Sequence, residues 1–533
     1  MARSLVIGLD GATFTVVDAL MRDGTMPFLA AFVRRGVRAP LRSTPHPLTP
    51  PAWTTVMTGR TPGNHGVFDF MWPVYQGDMV SIKLMDSRDI KRETIWSLLS
   101  RQGRRVTSLN FPVMFPPRPV DGYLVSGFVS WRHLRRACHP PALYDRLRAM
   151  PGVDPRELAM DLDQEKKSIQ GLHPDEYESW IAQHVRRERQ WFEITRRLMA
   201  DDPCDLTAVL FDGTDKLQHV AWPLLDPALV PAAPSPWQQR VRALCLEYFR
   251  NLDGYLAELV EQAGPDAHVV MVSDHGFGAS DEIFYVNVFL AERGYLAWGS
   301  AADPDEGAGR HLPQRMSVQY GLIDWKRTLA YGLAPSSNGI YIRVARRPGE
   351  PGVDAAEYEA VRRRLVDELL AFRAPDGGRV VTAVLTREEA FPGTECHRAP
   401  DLTLVLRDHG FVSVLNAPAA LARRPEPVGA HRPHGIFLAA GPGVQPGQSL
   451  PELSIVDVAP LVVHAVGLPV PADFEGRVPE EIFTAEFRRA HPVTSGDPTR
   501  PVSAYPAPPG AAELGGDETG AVMSRLRALG YVE

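Results

Sequence analysis

No stretch of this chain is apolar over anything like the ~20 residues that a bilayer-spanning helix requires, so no membrane span is expected. Cysteine is scarce, with four in 533 residues (Cys138, Cys204, Cys245, Cys396), far apart and with no C-x-x-C pair. Such spacing implies neither a disulfide framework nor a cysteine-based zinc site. A basic excess is missing as well: 57 Lys and Arg face 64 Asp and Glu, giving a net charge of −7 and a pI near 6.2. A general binder of nucleic-acid polymers needs the opposite balance for its phosphate contacts. The opening Met1-Ala2-Arg3-Ser4 lacks the charged region, long apolar core and small-residue cleavage site of a secretory leader, so residence in the cytoplasm is expected. There is no internal repeat. Composition says nothing about the oligomeric state.

What is there is ordinary for a globular enzyme: 44% hydrophobic and 23% charged residues. The length suits roughly two to four average domains, or one large α/β domain with insertions. Residues 4–10, 105–110, 206–212 and 267–273 are β-branched or Leu-rich, and long helical patterns separate them. This alternation predicts an α/β fold with a central, mostly parallel sheet and helices on both faces. The core is expected over residues 1–290 and 411–485, with a helical insertion at about 140–200. A cap or insert is expected over 291–410, holding strand-like pieces at Gly339–Val344 and Leu402–Leu406 around a helix at 355–372. Residues 486–533 read as a Pro-rich tail, with an extended linker at Pro492–Gly510 and a short helix at Met523–Leu529.

Chemistry gathers at the ends of the apolar runs. Leu5–Leu9 precedes Asp10, Leu206–Phe211 precedes Asp212 and Asp215, and Val269–Val272 precedes Asp274-His275. In parallel sheets, functional groups collect beyond the carboxyl ends of strands. His431 instead precedes its run, Gly435–Ala440, and is expected on a loop; His434 is its near rival. Asp215 and His219 stand at i and i+4, on one face of a helical turn, where both could grip one cation. Singly, each has a plain alternative: a turn at Asp10-Gly11, a solvated helix face at Asp215…His219, a helix cap at Asp274. Together, buried carboxylates on strand rims need an offset to their desolvation, and divalent cations supply it. A donor set of hard oxygen and imidazole without sulfur suits Zn²⁺, with Mn²⁺ or Fe²⁺ as alternatives.

Residues 48–59 read Leu-Thr-Pro-Pro-Ala-Trp-Thr-Thr-Val-Met-Thr-Gly. Thr49 fits an N-cap, Pro50 the first helical position and Gly59 the stop. A helix start favours an anion beside Thr49 and eases ionisation of its hydroxyl, as a nucleophile requires, although Thr49 as a simple cap fits too. Thr44, Thr54, Thr55 and Thr58 are weaker candidates, the last three falling inside the helix.

Leu9-Asp10-Gly11, the Thr49–Gly59 run and Pro62-Gly-Asn-His-Gly66 together resemble the opening of the alkaline phosphatase superfamily. The branch they resemble is the type I phosphodiesterase/nucleotide pyrophosphatase group. Asp215…His219, Ser273-Asp-His-Gly276 and Gly429-Ala-His-Arg-Pro433 match its further motifs in order, and Ile455–Pro460, Gly467-Leu-Pro and Phe474–Arg477 resemble its closing elements. The resemblance implies two divalent metal ions, zinc first: one on Asp215, His219 and His431, the other on Asp10, Asp274, His275 and Thr49. It implies Thr49 as the nucleophile toward a small-molecule phosphodiester or pyrophosphate. Phe70 departs from the pattern, standing where nucleotide pyrophosphatases carry a phosphate-binding Asn; Asn110 is the candidate replacement. Phe70, Trp72 and Trp131 are candidate apolar walls, or ordinary core aromatics. The C/S-x-P-x-R motif of sulfatases and the Ser motif of cofactor-independent phosphoglycerate mutases are missing. The expected function is therefore a metal-dependent phosphohydrolase cleaving phosphodiester bonds. The alternatives are a phosphomonoesterase or phosphotransferase acting on a glycan or lipid head group, and, in another class, a non-catalytic metal-binding regulatory protein.

Overall fold

Four of the apolar runs form strands that lie side by side. In the computed structural model, which describes residues 3–159, 172–299, 322–334 and 336–504, they are Ser4–Leu9, Val106–Leu109, Leu206–Phe211 and His268–Val272. Ser4–Leu9 is paired in parallel with Leu206–Phe211 on one side and His268–Val272 on the other, and Leu206–Phe211 with Val106–Leu109. Their side chains are buried on both faces, which is why the sequence runs apolar instead of alternating. The register sets Leu9 beside Phe211 and Gly8 beside Val272. The residues that follow, Asp10, Asp212 and Ser273-Asp274, therefore leave the sheet along one edge.

Ten strands make up this sheet. His434–Ala440 enters between Val37–Arg42 and His268–Val272 and runs antiparallel to both. An antiparallel strand begins at the edge where its parallel neighbours end, so the residues before it reach the same rim as the residues after them. This explains why His431 precedes its apolar run. It also corrects the expected loop, because His431 lies near the end of a strand, Leu421–Arg432.

Two groups of helices pack on the central strand: Pro236–Ala263 with Tyr177–Asp201, Gly213–Leu225 and Pro27–Arg35, and Val458–Ala465 with Thr49–Thr58 and Ile95–Arg101. Leu143–Ala149 and Tyr177–Asp201 fall in the region expected to be helical. Asp253 on the longest of these helices accepts from the N–H groups of Phe28 and Leu29 at 2.8 Å each, capping the Pro27–Arg35 helix from outside.

The chain divides into two compact units. One comprises Met1–His65, Asp86–Gly278 and His431–Gly510 and holds the ten-stranded sheet; the other comprises Gly66–Met85 and Ala279–Ala430. The second unit has its own core, with Phe289, Tyr331, Ile340, Leu365 and Leu402 buried around a four-stranded antiparallel sheet. Gly339–Ile342 and Leu402–Leu406 are strands of that sheet, and Tyr358–Ala371 is its helix.

Residues 492–504, which composition marks as an extended linker, are fastened to the first unit. Ser495–Gly496 pairs with Val470–Pro471, Thr499 gives both its N–H and its hydroxyl to Asp473, and the Arg500 N–H donates to Glu93. Extended Pro-rich backbone still offers donors, and two buried or half-buried carboxylates take them. The Met523–Leu529 helix lies outside the described residues. Among the described residues no helix is long and apolar enough to cross a membrane.

Candidate metal centre and nucleophile

Each acidic group at the rim is aimed by a local device. Gly11 follows Asp10 with φ +66°, and a Cβ there would stand 2.5 Å from the Phe277 ring, so only glycine fits. That turn points the Gly11 N–H at Asp274 Oδ1, 3.0 Å away. Ser273 anchors the adjacent strand end, donating to the Ala12 carbonyl and accepting from the Ile436 N–H. Asp215 sits in the first turn of the Gly213–Leu225 helix with His219 one turn on; His219 Nε2 lies 3.4 Å from Asp215 Oδ1.

The groups converge. Asp215 Oδ1 is 3.2 Å from His431 Nε2 and 3.9 Å from His275 Nε2, and the Nε2 atoms of His219 and His431 are 3.1 Å apart. His275 Nε2 is also 3.2 Å from Asp274 Oδ2, 3.5 Å from Asp10 Oδ1 and 3.3 Å from Thr49 Oγ1. Two triads, Asp215–His275–His431 and Asp10–Asp274–His275, each bring one ligand atom per residue within 4.8 Å of the others. His275 thus belongs to both, and His219 adjoins the first. Their side chains are buried.

The donor set fits divalent cations. Asp10 Oδ1, Asp215 Oδ1 and Asp274 Oδ2 are buried and have no hydrogen-bond partner. A carbonyl only accepts, so the contacts of His431 Nδ1 with the Pro47 carbonyl (2.8 Å) and of His275 Nδ1 with the Gly276 carbonyl (3.2 Å) place the ring proton on Nδ1. Both Nε2 lone pairs then face carboxylate oxygens, a repulsive arrangement unless a positive charge lies between them. The electrostatics agree. Burial, then the neighbouring Asp274 and Asp215, pushes the Asp10 carboxyl well above its ordinary range. Burial and Asp215 raise Asp274 to about 8. Burial opposes ionisation of Asp215 too, but the neighbouring His219, and after it Lys216, outweigh it and hold that carboxyl well below the usual value. Burial, then His431, drives His275 far down, and burial lowers His431.

Thr49 opens the Thr49–Thr58 helix, which is buried along its whole length. The cap is Leu48, in an extended conformation (φ −129°, ψ 138°), so Thr49 is the first helical residue rather than the cap. Pro50 and Pro51 carry no N–H, and the Ala52 N–H is tied to the Leu48 carbonyl, so the helix start supplies fewer main-chain donors than its position suggests. Gly59 ends the helix at φ +62°. The hydroxyls of Thr54, Thr55 and Thr58 donate one turn back to Pro50, Pro51 and Thr54, and Thr44 donates to the His46 carbonyl.

Other candidates stand elsewhere. His434 is exposed and bonds to Glu452 at 2.6 Å. Asn110, at φ +68°, gives its amide N–H groups to the Leu210 carbonyl (2.8 Å) and Asp212 Oδ1 (3.2 Å), so the donors that would meet a phosphate are committed. Asp212 itself is held by Arg187 Nη1 through both oxygens, at 3.0 and 2.7 Å, and Arg187 comes from the Tyr177–Asp201 helix. Phe70 belongs to the second unit, half-buried against its core. One residue the sequence reading passed over is Trp53, whose indole N–H donates to Asp10 Oδ2 at 3.3 Å. Its only signal is the i+4 spacing from Thr49.

The family model for type I phosphodiesterase/nucleotide pyrophosphatase matches residues 4–434. No curated protein matches. Among solved structures, murine ectonucleotide pyrophosphatase/phosphodiesterase 5, an inactive variant in complex with AMP, is similar at a TM-score of 0.51 and 14% identity. The likeness covers 91% of this chain and 100% of that one. Phosphonoacetate hydrolase from Sinorhizobium meliloti 1021, in complex with phosphonoformate, is similar at a TM-score of 0.50 and 19% identity, over 87% of this chain and 95% of that one. These likenesses show the fold. The chain belongs to the type I phosphodiesterase/nucleotide pyrophosphatase family, hydrolases of phosphoric ester bonds.

Proposed function

We propose that the protein hydrolyses small-molecule phosphodiesters with Thr49 as nucleophile beside two divalent cations. The observation that carries this reading is the placement of Thr49 Oγ1, 3.3 Å from His275 Nε2 at the junction of the two Asp/His triads. Asp215, His219 and His431 would hold one ion, and Asp10, Asp274 and His275 the other. Zinc suits this oxygen and imidazole set best. Such ions, when bound, neutralise the carboxylates and act as Lewis acids on phosphoryl oxygens. Thr49 Oγ1 forms a bond to phosphorus as the bond to the leaving oxygen breaks, and its hydroxyl proton departs to solvent. Water then cleaves the Oγ1–phosphorus bond, restoring the hydroxyl and releasing a phosphate monoester. The buried Thr49–Thr58 helix fixes the attacking atom in advance, which lowers the entropic part of the barrier. Four free cysteines, three of them buried, fit the reducing interior of the cytoplasm.

Hydrolysis of an aryl phosphodiester with added Zn²⁺ or Mn²⁺, before and after chelation, tests the reading. Thr49→Ala is expected to lower the rate by at least about 10³-fold at saturating metal. Equal rates in the two proteins would falsify it.

A further inference from the structure

Asp10 and Asp274 each have one carboxylate oxygen taken by a donor from a neighbouring element. The Gly11 N–H takes Asp274 Oδ1 and the Trp53 indole N–H takes Asp10 Oδ2, while the opposite oxygen of each carboxylate has no hydrogen-bond partner. Each acid therefore presents one oxygen to the junction. Asp10 Oδ1, Asp274 Oδ2 and Thr49 Oγ1 lie 3.5, 3.2 and 3.3 Å from His275 Nε2, four donor atoms in all, the number a tetrahedral ion takes.

The indole is built in rigidly. Trp53 is completely buried. A Cβ on Gly8 of the central strand would stand 2.6 Å from Trp53 Cη2, so the ring is seated on bare backbone. Phe111 meets the ring edge-on with centroids 5.5 Å apart, and Trp96 backs Phe111 at 5.3 Å. Trp53 also follows Thr49 by one helical turn, so the same helix face carries the hydroxyl and the donor. Burial and packing alone could be met by Phe; the N–H aimed at a carboxylate could not.

We propose that Trp53 is a positioning residue that restricts Asp10 to one oxygen and thereby sets the centre's preference for a four-coordinate ion such as Zn²⁺ over six-coordinate ions such as Mn²⁺. The inference rests on the two-cation reading above. Without the indole N–H, Asp10 Oδ2 is released to act as a second ligand, which favours ions that accept more oxygen donors.

The test compares wild type with Trp53→Phe and with a protein carrying 3-benzothienylalanine at position 53, whose sulfur replaces the N–H in a ring of the same shape. The second protein keeps the packing if Phe does not. Zn²⁺ and Mn²⁺ affinities are read by competition with a chromophoric chelator, and the Co²⁺-loaded proteins by their visible d–d absorption. Loss of the donor is expected to weaken Zn²⁺ binding about 10- to 100-fold, to weaken Mn²⁺ binding less, and to dim the Co²⁺ bands as the coordination number rises. A purely structural Trp53 would lower the melting temperature and leave the Zn²⁺/Mn²⁺ ratio and the Co²⁺ spectrum of the isostere unchanged, which overturns the inference alone. A wild-type chain that binds none of the three ions overturns the two-cation reading itself.

Discussion

Neutralising Asp274 should make the metal-free protein more stable, not less, at alkaline pH. Burial and Asp215 raise this carboxyl from an ordinary 3.8 to about 8 in the folded chain. Between those values the folded state holds a proton that the unfolded state has released. Stability from this group is complete below pH 4 and is lost as pH rises through 8, at about 1.4 kcal/mol per pH unit. By pH 8 the deficit reaches about 5 kcal/mol, an upper bound, since water entry and relaxation around the charge reduce it. Asp274→Asn removes the titration and keeps the shape, and its side chain still offers an oxygen to the Gly11 N–H. Urea denaturation midpoints of chelator-treated wild type and Asp274→Asn, measured from pH 5 to pH 8, read the effect. The Asn protein should gain on wild type steadily across that range, and added Zn²⁺ should reverse the order by stabilising wild type alone. A gap that stays constant with pH, or one that favours wild type throughout, would refute the reasoning.

Two pairs of substitutions separate ligands from bystanders. His219→Ala should lower bound metal, with affinity falling at least about 10-fold, whereas His434→Ala, which breaks an exposed contact with Glu452, should leave metal content unchanged; elemental analysis after dialysis decides. Asp212→Asn takes the carboxylate from buried Arg187 and should cost about 3 kcal/mol of stability. Because Asp212 lies outside both triads, the folded fraction should keep its metal, and a melting curve paired with metal analysis distinguishes this from the opposite pattern expected of Asp215→Asn.

How much of this was legible follows from what each residue's neighbours could say. Asp10 and Asp274 were legible because an unbroken apolar run followed by an acid marks a buried parallel strand and its carboxyl end. Asp215 stood apart from Asp212 only by its i+4 partner, His219. What makes Asp212 structural is Arg187, from a helix 25 residues earlier whose docking is not written locally. The route of His431 was hidden for a similar reason: antiparallel entry of His434–Ala440 is a property of the sheet, not of the segment. The Thr49 boundary slipped by one position because Thr-Pro-Pro satisfies a cap and a first turn almost equally, and helix ends are soft by one or two residues. Trp53 reads as core, and its N–H gains meaning only once Asp10 lies beneath it. That residues 492–504 are fastened to Asp473 and Glu93 is not legible, because composition reports the stiffness of a chain and not the carboxylates waiting for its donors.

The late antiparallel strand also dictates when a nascent chain can become competent. Val37–Arg42 leaves the ribosome early, yet its link to the rest of the sheet is His434–Ala440, made some 400 residues later. Until that segment emerges and inserts, Val37–Arg42 stays apart from the central strands and His431 is absent from the junction. Such distant pairing is slow to form and keeps an unpaired edge exposed meanwhile. The last imidazole of the Asp/His cluster thus arrives with the closing of the sheet, so a complete cluster reports that the sheet itself has closed.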